Sequence, residues 1–212
     1  MSLKILIKKL YLEEKKYIDS ATLKTYCGKL GLEYYTAIRY LTSHKYLYRI
    51  FKGIFYKPSI EERKLKTVST NHIEAINNAL KMKNIKNWYL GLESALKLNN
   101  LTHEHYTIEY IISDKIYRNK PITILGKKIK FIKIKNKLTR FGIIEKNTTK
   151  YSDPEKTLLD TIYLMNYNGF DKKEIKNKTC ELLKKCSREK LNKYTRHYNN
   201  KVKKYIEEIW KN

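Results

Sequence analysis

Four consecutive residues, Asp153-Pro154-Glu155-Lys156, have the residue types of a metal-dependent nuclease core, in which an acidic residue precedes a Glu-x-Lys pair. Glu155 and Lys156 are adjacent here, so on a helix their side chains would point about 100° apart and would not converge. The same residues also form a good helix start: Asp153 suits the N-cap, Pro154 the first helical position and Glu155 the positively polarised end. We therefore predict a helix start here and no catalytic residue.

Histidines and cysteines provide the other candidates for chemistry. In His103-Glu104-His105 the two imidazoles would share one face of a strand and could bind a metal ion, but no Cys or carboxylate at suitable spacing completes the site. A solvated loop is the preferred interpretation. Cys27, Cys180 and Cys186 are odd in number and never spaced as CxxC, which argues against a disulfide framework or a structural zinc site. We predict a protein that is not an enzyme, with no bound metal and no cofactor.

The charge of the chain favours an acidic partner. Its 212 residues include 46 Lys and Arg against 21 Asp and Glu, a formal charge of +25. Residues 1–60 hold 12 basic and 4 acidic residues, residues 61–170 hold 20 and 11, and residues 171–212 hold 14 and 6, so the two ends are the more basic parts. Nucleic acid is the usual partner of such a chain. The richness in Lys, Ile, Asn and Tyr also fits an AT-rich genome, so charge alone leaves the question open.

The sequence carries no signal for membranes or export. A run of about 18 apolar residues, which a membrane-spanning helix needs, does not occur. The segment Met1 to Leu10 has lysines within its apolar pattern and lacks a small-residue cleavage site, so it is not a secretory signal. We expect no membrane association and a cytoplasmic location.

The first 60 residues have the pattern of three helices followed by a β-hairpin. Apolar spacing and N-cap signals predict helices over about residues 2–12, 21–29 and 33–44. Gly31 separates the second helix from the third. Two short aromatic and β-branched runs surround Lys52-Gly53 and predict the hairpin, which Pro58 ends. This layout is that of a winged helix-turn-helix domain, to which we assign residues 1–60.

The third helix is predicted to offer its polar face to a major groove. Ala37 and Leu41 lie one turn apart and mark the face that packs against the second helix. Arg39 would reach a guanine edge or a phosphate, and the hairpin would contact the backbone or the minor groove. The predicted DNA-binding residues are Tyr35, Thr36, Arg39, Tyr40, Ser43, Lys45, Arg49 and Lys52. Winged helices also serve as protein-docking modules, and that alternative stays open.

The remainder of the chain predicts a mixed α+β domain over residues 61–170 and a basic helical C-terminal extension over residues 171–212. Strands are expected at Tyr106–Ser113, Ile122–Leu125, Lys128–Ile134 and Phe141–Glu145. Helices are expected from Asn71 to about Met82, after Trp88, after Asp153, and at about Lys172–Cys186 and Glu189–Trp210. The fold class is therefore α+β.

Three blocks of residues together resemble the AbiEi family of antitoxins and transcriptional regulators, from abortive-infection toxin–antitoxin systems of type IV. The blocks are the hairpin segment 49–56, the segment 88–96 followed by Leu101-Thr102, and the segment 153–160. Their order and spacing cover about residues 1–165. The resemblance implies an N-terminal DNA-binding domain that represses its own operon and a C-terminal domain that neutralises a nucleotidyltransferase-like toxin, AbiEii. The basic extension matches no motif of the family.

The leading hypothesis is an antitoxin and autorepressor that binds double-stranded operator DNA and a nucleotidyltransferase-like toxin. A homodimer or paired monomers on a palindromic site would explain operator binding. The alternatives are a stand-alone winged-helix transcription factor whose C-terminal domain dimerises or senses a ligand, a nucleic-acid-processing enzyme that uses Glu155, and an RNA-binding module.

Overall fold

The computed structural model describes residues 2–211, and the chain divides into two compact units. Unit 1 comprises Met1–Asn84 with Ile124–Gly126, and unit 2 comprises Ile85–Thr123 with Lys127–Asn212. Both units contain helices and strands, which agrees with the predicted α+β class. The bounds of these units differ from the predicted segments 1–60, 61–170 and 171–212. Residues 61–84 belong to unit 1, and residues 171–212 belong to unit 2 together with most of residues 85–170.

Unit 1 combines helices with a three-stranded antiparallel sheet. Its helices are α1 (Ser2–Leu12), α2 (Ser20–Lys29), α3 (Tyr34–Ser43), α4 (Ile60–Lys64) and α5 (His72–Met82). Its strands β1 (Tyr17–Asp19), β2 (Tyr48–Phe51) and β3 (Ile54–Tyr56) lie in the order β1-β3-β2. The three N-terminal helices and the hairpin thus form close to their predicted bounds. Strand β1 was not expected, because three residues are too few to display an alternating pattern.

One apolar cluster holds the first part of unit 1 together. Its buried members are Leu6, Leu10, Ile18, Leu23, Cys27, Ala37, Ile38, Leu41, Leu47 and Phe55. They come from α1, α2, α3 and the hairpin, so each of these helices buries one face against the others. Ala37 and Leu41 are buried as the sequence predicts, and Ile38 joins them.

Residues beyond the predicted boundary at 60 belong to unit 1 because polar contacts tie them to the hairpin. The Tyr56 hydroxyl donates to both carboxylate oxygens of Glu62, at 2.7 and 2.9 Å. The same carboxylate accepts the backbone N–H of Ser69 at 2.5 Å. Further along, the hydroxyls of Tyr17 and Thr70 lie 3.2 Å apart. The segment that resembled a linker therefore completes unit 1.

Unit 2 contains a six-stranded mixed sheet. Its strands are β4 (Trp88–Leu90), β5 (Ile108–Ser113), β6 (Ile122–Ile124, whose last residue is counted with unit 1), β7 (Lys127–Lys133), β8 (Ile143–Lys146) and β9 (Thr149–Ser152), in the order β6-β7-β5-β4-β9-β8. Strand β5 pairs with β7 in parallel and with β4 in antiparallel orientation, and β4 pairs in parallel with β9. Four of these strands overlap the predicted ones, whereas β4 and β9 were not predicted as strands.

The predicted C-terminal extension is part of the core of unit 2. The helices of this unit are α6 (Leu92–Leu98), α7 (Pro154–Tyr167), α8 (Lys172–Lys184), α9 (Arg188–Thr195) and α10 (Asn200–Lys211). Ile175, Leu191 and Val202, one from each of the last three helices, are buried in the same cluster as Leu158 and Leu159 of α7. Residues 171–212 therefore do not form a separate segment. The predicted helix Glu189–Trp210 is two helices, and the side chain of Trp210 lies outside the described residues.

Within residues 2–211, no helix combines the length and the apolar character that crossing a bilayer requires.

Candidate nucleic-acid interface

The turn between α2 and α3 is fixed by a helix C-terminal motif. Leu32 donates its backbone N–H to the carbonyl of Cys27 at 2.9 Å, and Gly31 donates to Gly28 at 3.3 Å. This pair of hydrogen bonds is the Schellman pattern, which needs a left-handed residue after the helix. Gly31 fills that position with a φ of +60°. The glycine predicted as a break therefore determines the angle at which the chain enters α3.

Helix α3 begins with a strong cap. The carboxylate of Glu33 accepts the backbone N–H groups of Tyr35 at 2.9 Å and Thr36 at 2.6 Å. These hydrogen bonds hold the pKa of the Glu33 carboxyl below its ordinary value. Because Ala37, Ile38 and Leu41 are buried, the opposite face of the helix is left to solvent.

A second left-handed residue ends α3. Tyr46 donates its N–H to Leu41 at 2.8 Å and Lys45 donates to Thr42 at 3.2 Å, which repeats the Schellman pattern. Here the left-handed position is occupied by Lys45, with a φ of 56°, and not by glycine. Its side chain is exposed directly beyond the end of the helix.

The hairpin is anchored to the start of α2. The backbone N–H of Ser20 donates to the carbonyl of Gly53 at 2.8 Å. A Cβ atom at position 53 would lie 2.9 Å from the Ser20 hydroxyl, and Gly53 has a φ of +79°. The backbone angle therefore favours glycine at this turn, and an added Cβ atom would also displace the Ser20 hydroxyl.

The predicted DNA-binding residues lie on the solvent side of α3 and the hairpin. Seven of them are exposed, namely Tyr35, Thr36, Arg39, Ser43, Lys45, Arg49 and Lys52. Tyr35 is the clearest case, with 71% of its surface accessible. The guanidinium of Arg49 lies 5.4 Å from the ring centroid of Phe55, a cation–π contact between the two strands of the hairpin.

Two of the predicted residues have partners within α3. Tyr40 is half-buried, and its ring stacks on His44 with centroids 4.0 Å apart. The Ser43 hydroxyl donates to the carbonyl of Tyr40 at 3.0 Å. Ser43 is therefore a weaker candidate for a phosphate contact than its exposure suggests. His44, which sequence reasoning missed, is exposed on the same turn, and its spacing of four residues from Tyr40 is the signal that could have identified it.

The segment that contains α3 and the hairpin carries basic residues and no acidic residue. The sequence from residue 34 to residue 60 contains Arg39, Lys45, Arg49, Lys52 and Lys57 and no Asp or Glu. Four of these five are exposed, whereas Lys57 is buried. The ammonium of Lys57 donates to the carbonyls of Leu10 and Glu13, so it caps the C-terminal end of α1. The exposed charge therefore belongs to α3 and the hairpin.

The nuclease-like residues of unit 2 are engaged in a buried network. Lys156 has no accessible surface, and its ammonium lies 2.5 Å from Asp160 and 2.9 Å from the hydroxyls of Tyr89 and Tyr198. All three ammonium protons thus have an acceptor. Both tyrosines also donate to Asp160, at 2.6 and 2.7 Å. Burial lowers the pKa of Lys156, while the carboxylate of Asp160 opposes that shift.

The other two members of that motif have structural partners as well. Asp153 caps α7 by accepting the N–H of Lys156 at 2.8 Å, and it accepts the hydroxyl of Tyr194 at 3.0 Å. Glu155 accepts the N–H of Ser187 at 2.8 Å, which joins α7 to the start of α9. The predicted helix start is confirmed, and these carboxylates connect helices.

His103, Glu104 and His105 are exposed and lie outside helices and strands. In the described part of the chain, no three His, Cys, Asp or Glu side chains are grouped as metal ligands would be. Burial raises the pKa of the Cys186 thiol to about 12, so the neutral thiol is the stable form there.

Comparisons with known proteins show a structural similarity. No model of a known protein family matches the chain, and no curated protein matches it. The chain is similar to the crystal structure of the RV2827C protein from Mycobacterium tuberculosis, with a TM-score of 0.56 and 12% sequence identity. The match covers 95% of this chain and 73% of the other. At this identity the similarity concerns the fold alone.

Proposed function

We propose that this protein is a transcriptional regulator that binds double-stranded operator DNA through a winged helix-turn-helix in unit 1. In this proposal α2 and α3 are the helix-turn-helix, α3 is the recognition helix, and β2 and β3 form a short wing. The single observation that carries the proposal is the exposed basic residues of α3 and the hairpin, since Arg39, Arg49 and Lys52 are each exposed to solvent.

The chemistry of that face suits a duplex. Arg39 lies near the middle of α3 and can donate two hydrogen bonds to a guanine edge, while Lys45 and Lys52 can neutralise phosphates on either side. Tyr35, Thr36 and Tyr40 add hydroxyl donors. The order of helices and strands in unit 1, with the strand order β1-β3-β2, supports the assignment to the winged-helix class.

A homodimer, or two monomers on a palindromic site, would place two recognition helices in successive major grooves. Repression of its own operon in the cytoplasm would follow from such binding close to its promoter.

Selection of bound sequences from a random duplex pool tests this proposal. The full-length chain is expected to enrich one sequence, which also occurs upstream of its own gene, and to repress a reporter placed behind that DNA. A pool that remains random after repeated selection would contradict operator binding, because phosphate contacts alone do not discriminate sequences.

The resemblance to the AbiEi family supports a second role, the neutralisation of a nucleotidyltransferase-like toxin by unit 2. The blocks at 88–96 and 153–160, on which that resemblance partly rests, contain Tyr89, Lys156 and Asp160, which form the buried network described above. In this proposal the network supports the surface that binds the toxin.

Co-expression with a nucleotidyltransferase encoded beside this gene tests the antitoxin role. Growth arrest by the transferase alone and growth in the presence of both proteins is the expected pair of results. If arrest persists while this chain is folded and expressed, the alternative holds: a stand-alone transcription factor whose C-terminal unit dimerises or senses a ligand.

A further inference from the structure

The most basic uninterrupted part of the chain lies in unit 2 and not in the proposed recognition helix. Between Asp114 and Glu145 the sequence contains ten Lys and Arg residues and no acidic residue. The corresponding stretch of unit 1, residues 34–60, contains five basic residues over a similar length. The density of positive charge is therefore about twice as high in this part of unit 2 as around α3.

Part of this positive charge lies on strand β7. Strand β7 buries Ile129 and Phe131 on one face, so Lys128 and Lys130 project from the opposite face. Lys128 is exposed and Lys130 is half-buried.

The loop before β6 adds further charges beside this strand. The backbone N–H of Arg118 donates to the carbonyl of Phe131 at 3.2 Å, which fixes the loop against β7. The Lys130 ammonium donates to the carbonyl of Asn119 and lies 6.0 Å from the ring centroid of Tyr117. We give the name β7 patch to four exposed basic side chains on this loop and strand, Lys115, Arg118, Lys120 and Lys128.

The acidic residue that borders the loop, Asp114, forms no ion pair with the β7 patch within the described part of the chain. Asp114 accepts the side-chain amide of Asn87 at 2.9 Å and that of Asn136 at 2.5 Å through the same oxygen. The other oxygen of this carboxylate is buried and has no hydrogen-bond partner. The charges of the β7 patch remain available to an external anion.

We propose that the β7 patch binds the phosphate backbone of duplex DNA without sequence preference, as a second contact that is separate from the recognition helix. Lys128 on the strand and the three basic side chains on the loop provide positive charges for phosphates. A single-stranded nucleic acid would need a series of exposed rings for base stacking, and of the aromatic residues from 115 to 144 only Tyr117 is exposed.

The test compares two full-length variants that lose the same formal charge. The patch variant carries Lys115→Gln, Arg118→Gln, Lys120→Gln and Lys128→Gln. The control carries Lys173→Gln, Lys176→Gln, Lys193→Gln and Lys204→Gln, four exposed lysines on α8, α9 and α10. The affinity of each chain for a random-sequence duplex is measured over a series of salt concentrations, and thermal melting verifies that both variants are folded.

We expect the slope of log affinity against log salt to become shallower in the patch variant by about 0.9 for each phosphate that the variant no longer neutralises. The control should keep the slope of the wild type. Equal slopes for the two variants would overturn the proposal, because the effect would then reflect total charge alone. A larger loss of affinity for single-stranded RNA than for duplex DNA would also overturn it.

The outcome is distinguishable from that of the operator proposal. The β7 patch is measured on random duplex, so the result does not depend on whether an operator exists. If an operator is found, the patch variant should bind operator and random DNA more weakly by the same factor. A substitution in the recognition helix should instead change the ratio of the affinity for operator DNA to the affinity for random DNA.

Discussion

Lys45 combines an unfavourable backbone conformation with a position suited to a phosphate contact. A left-handed residue other than glycine costs roughly 1–2 kcal/mol. We predict that Lys45→Gly raises the free energy of unfolding by about 1 kcal/mol and at the same time weakens DNA binding. Urea denaturation and a binding titration on the same sample test both effects. A variant that is more stable and binds DNA as well as the wild type would exclude Lys45 from the interface.

The buried pair of Lys156 and Asp160 should behave as a strongly coupled unit. Asp160→Ala leaves a buried ammonium without its carboxylate, which typically costs about 3–5 kcal/mol. The double change Lys156→Met with Asp160→Leu removes both charges and should cost much less than the sum of the single changes. Urea unfolding of Lys156→Met, Asp160→Leu and the double variant measures the coupling. Additive effects would contradict the ion pair.

Glu62 should make unit 1 sensitive to acid. Burial alone would raise the pKa of Glu62, but hydrogen bonds from Ser59, Ser69 and Tyr56 outweigh it and lower the pKa to about 2. Because the folded-state pKa lies below the unfolded value near 4.5, the stabilisation is complete above pH 4.5 and is lost as the pH falls towards 2.

We therefore predict that the wild type loses about 3 kcal/mol of stability over that interval through this group, whereas Glu62→Gln lacks this component. Urea denaturation of both chains at a series of pH values measures this loss of stability. Parallel pH profiles for the two chains would rule out the hydrogen-bonded carboxylate.

At the scale of elements, the hairpin provides a matched pair of glycine substitutions. Gly53→Ala should destabilise unit 1 by about 1–3 kcal/mol, since both the positive φ and the approach of Ser20 exclude a Cβ atom. Gly28→Ala lies in α2 with open space around its Cβ and should stabilise it by about 0.5–1 kcal/mol. Thermal melting compares the two. Equal melting temperatures would mean that the turn is not held against α2.

Elements with strong local signals were predictable from the sequence. Asp153 caps its helix as predicted, and Asp19 and Asn71 cap α2 and α5 in the same way, since a capping side chain acts within three residues of itself. Strand β9 was missed because its short polar sequence forms a strand through pairing with β8 and with β4, and β4 lies far away in the sequence. The capping carboxylate of Glu33 was also missed, because Glu is an unusual N-cap residue.

The candidate site was predictable to a similar extent. The exposed face of α3 followed from the helical period of Ala37 and Leu41. The stacking of His44 on Tyr40 and the internal hydrogen bond of Ser43 depend on side-chain orientation, which periodicity does not determine. The network around Lys156 contains a direct hydrogen bond between residues 71 positions apart in sequence, Tyr89 and Asp160, so it became visible only in the fold.

At the scale of the whole molecule, the excess positive charge is distributed over two compact units. Unit 1 presents Arg39, Arg49 and Lys52 on the proposed reading face, and unit 2 presents the β7 patch. A chain of net charge +25 should bind DNA with a strong dependence on salt, so every affinity has to be compared at one ionic strength. The affinity for a specific sequence and the nonspecific affinity for the phosphate backbone can then be measured separately.

The most direct measurement of the central claim is a titration of the selected duplex and a shuffled duplex with three chains: the wild type, Arg39→Ala and Arg196→Ala. Arg196 is exposed in unit 2 and serves as the matched control. Arg39→Ala is expected to lose about 1–3 kcal/mol on the selected duplex and far less on the shuffled one, while Arg196→Ala follows the wild type. Wild-type affinity of Arg39→Ala on both duplexes would contradict sequence reading by α3.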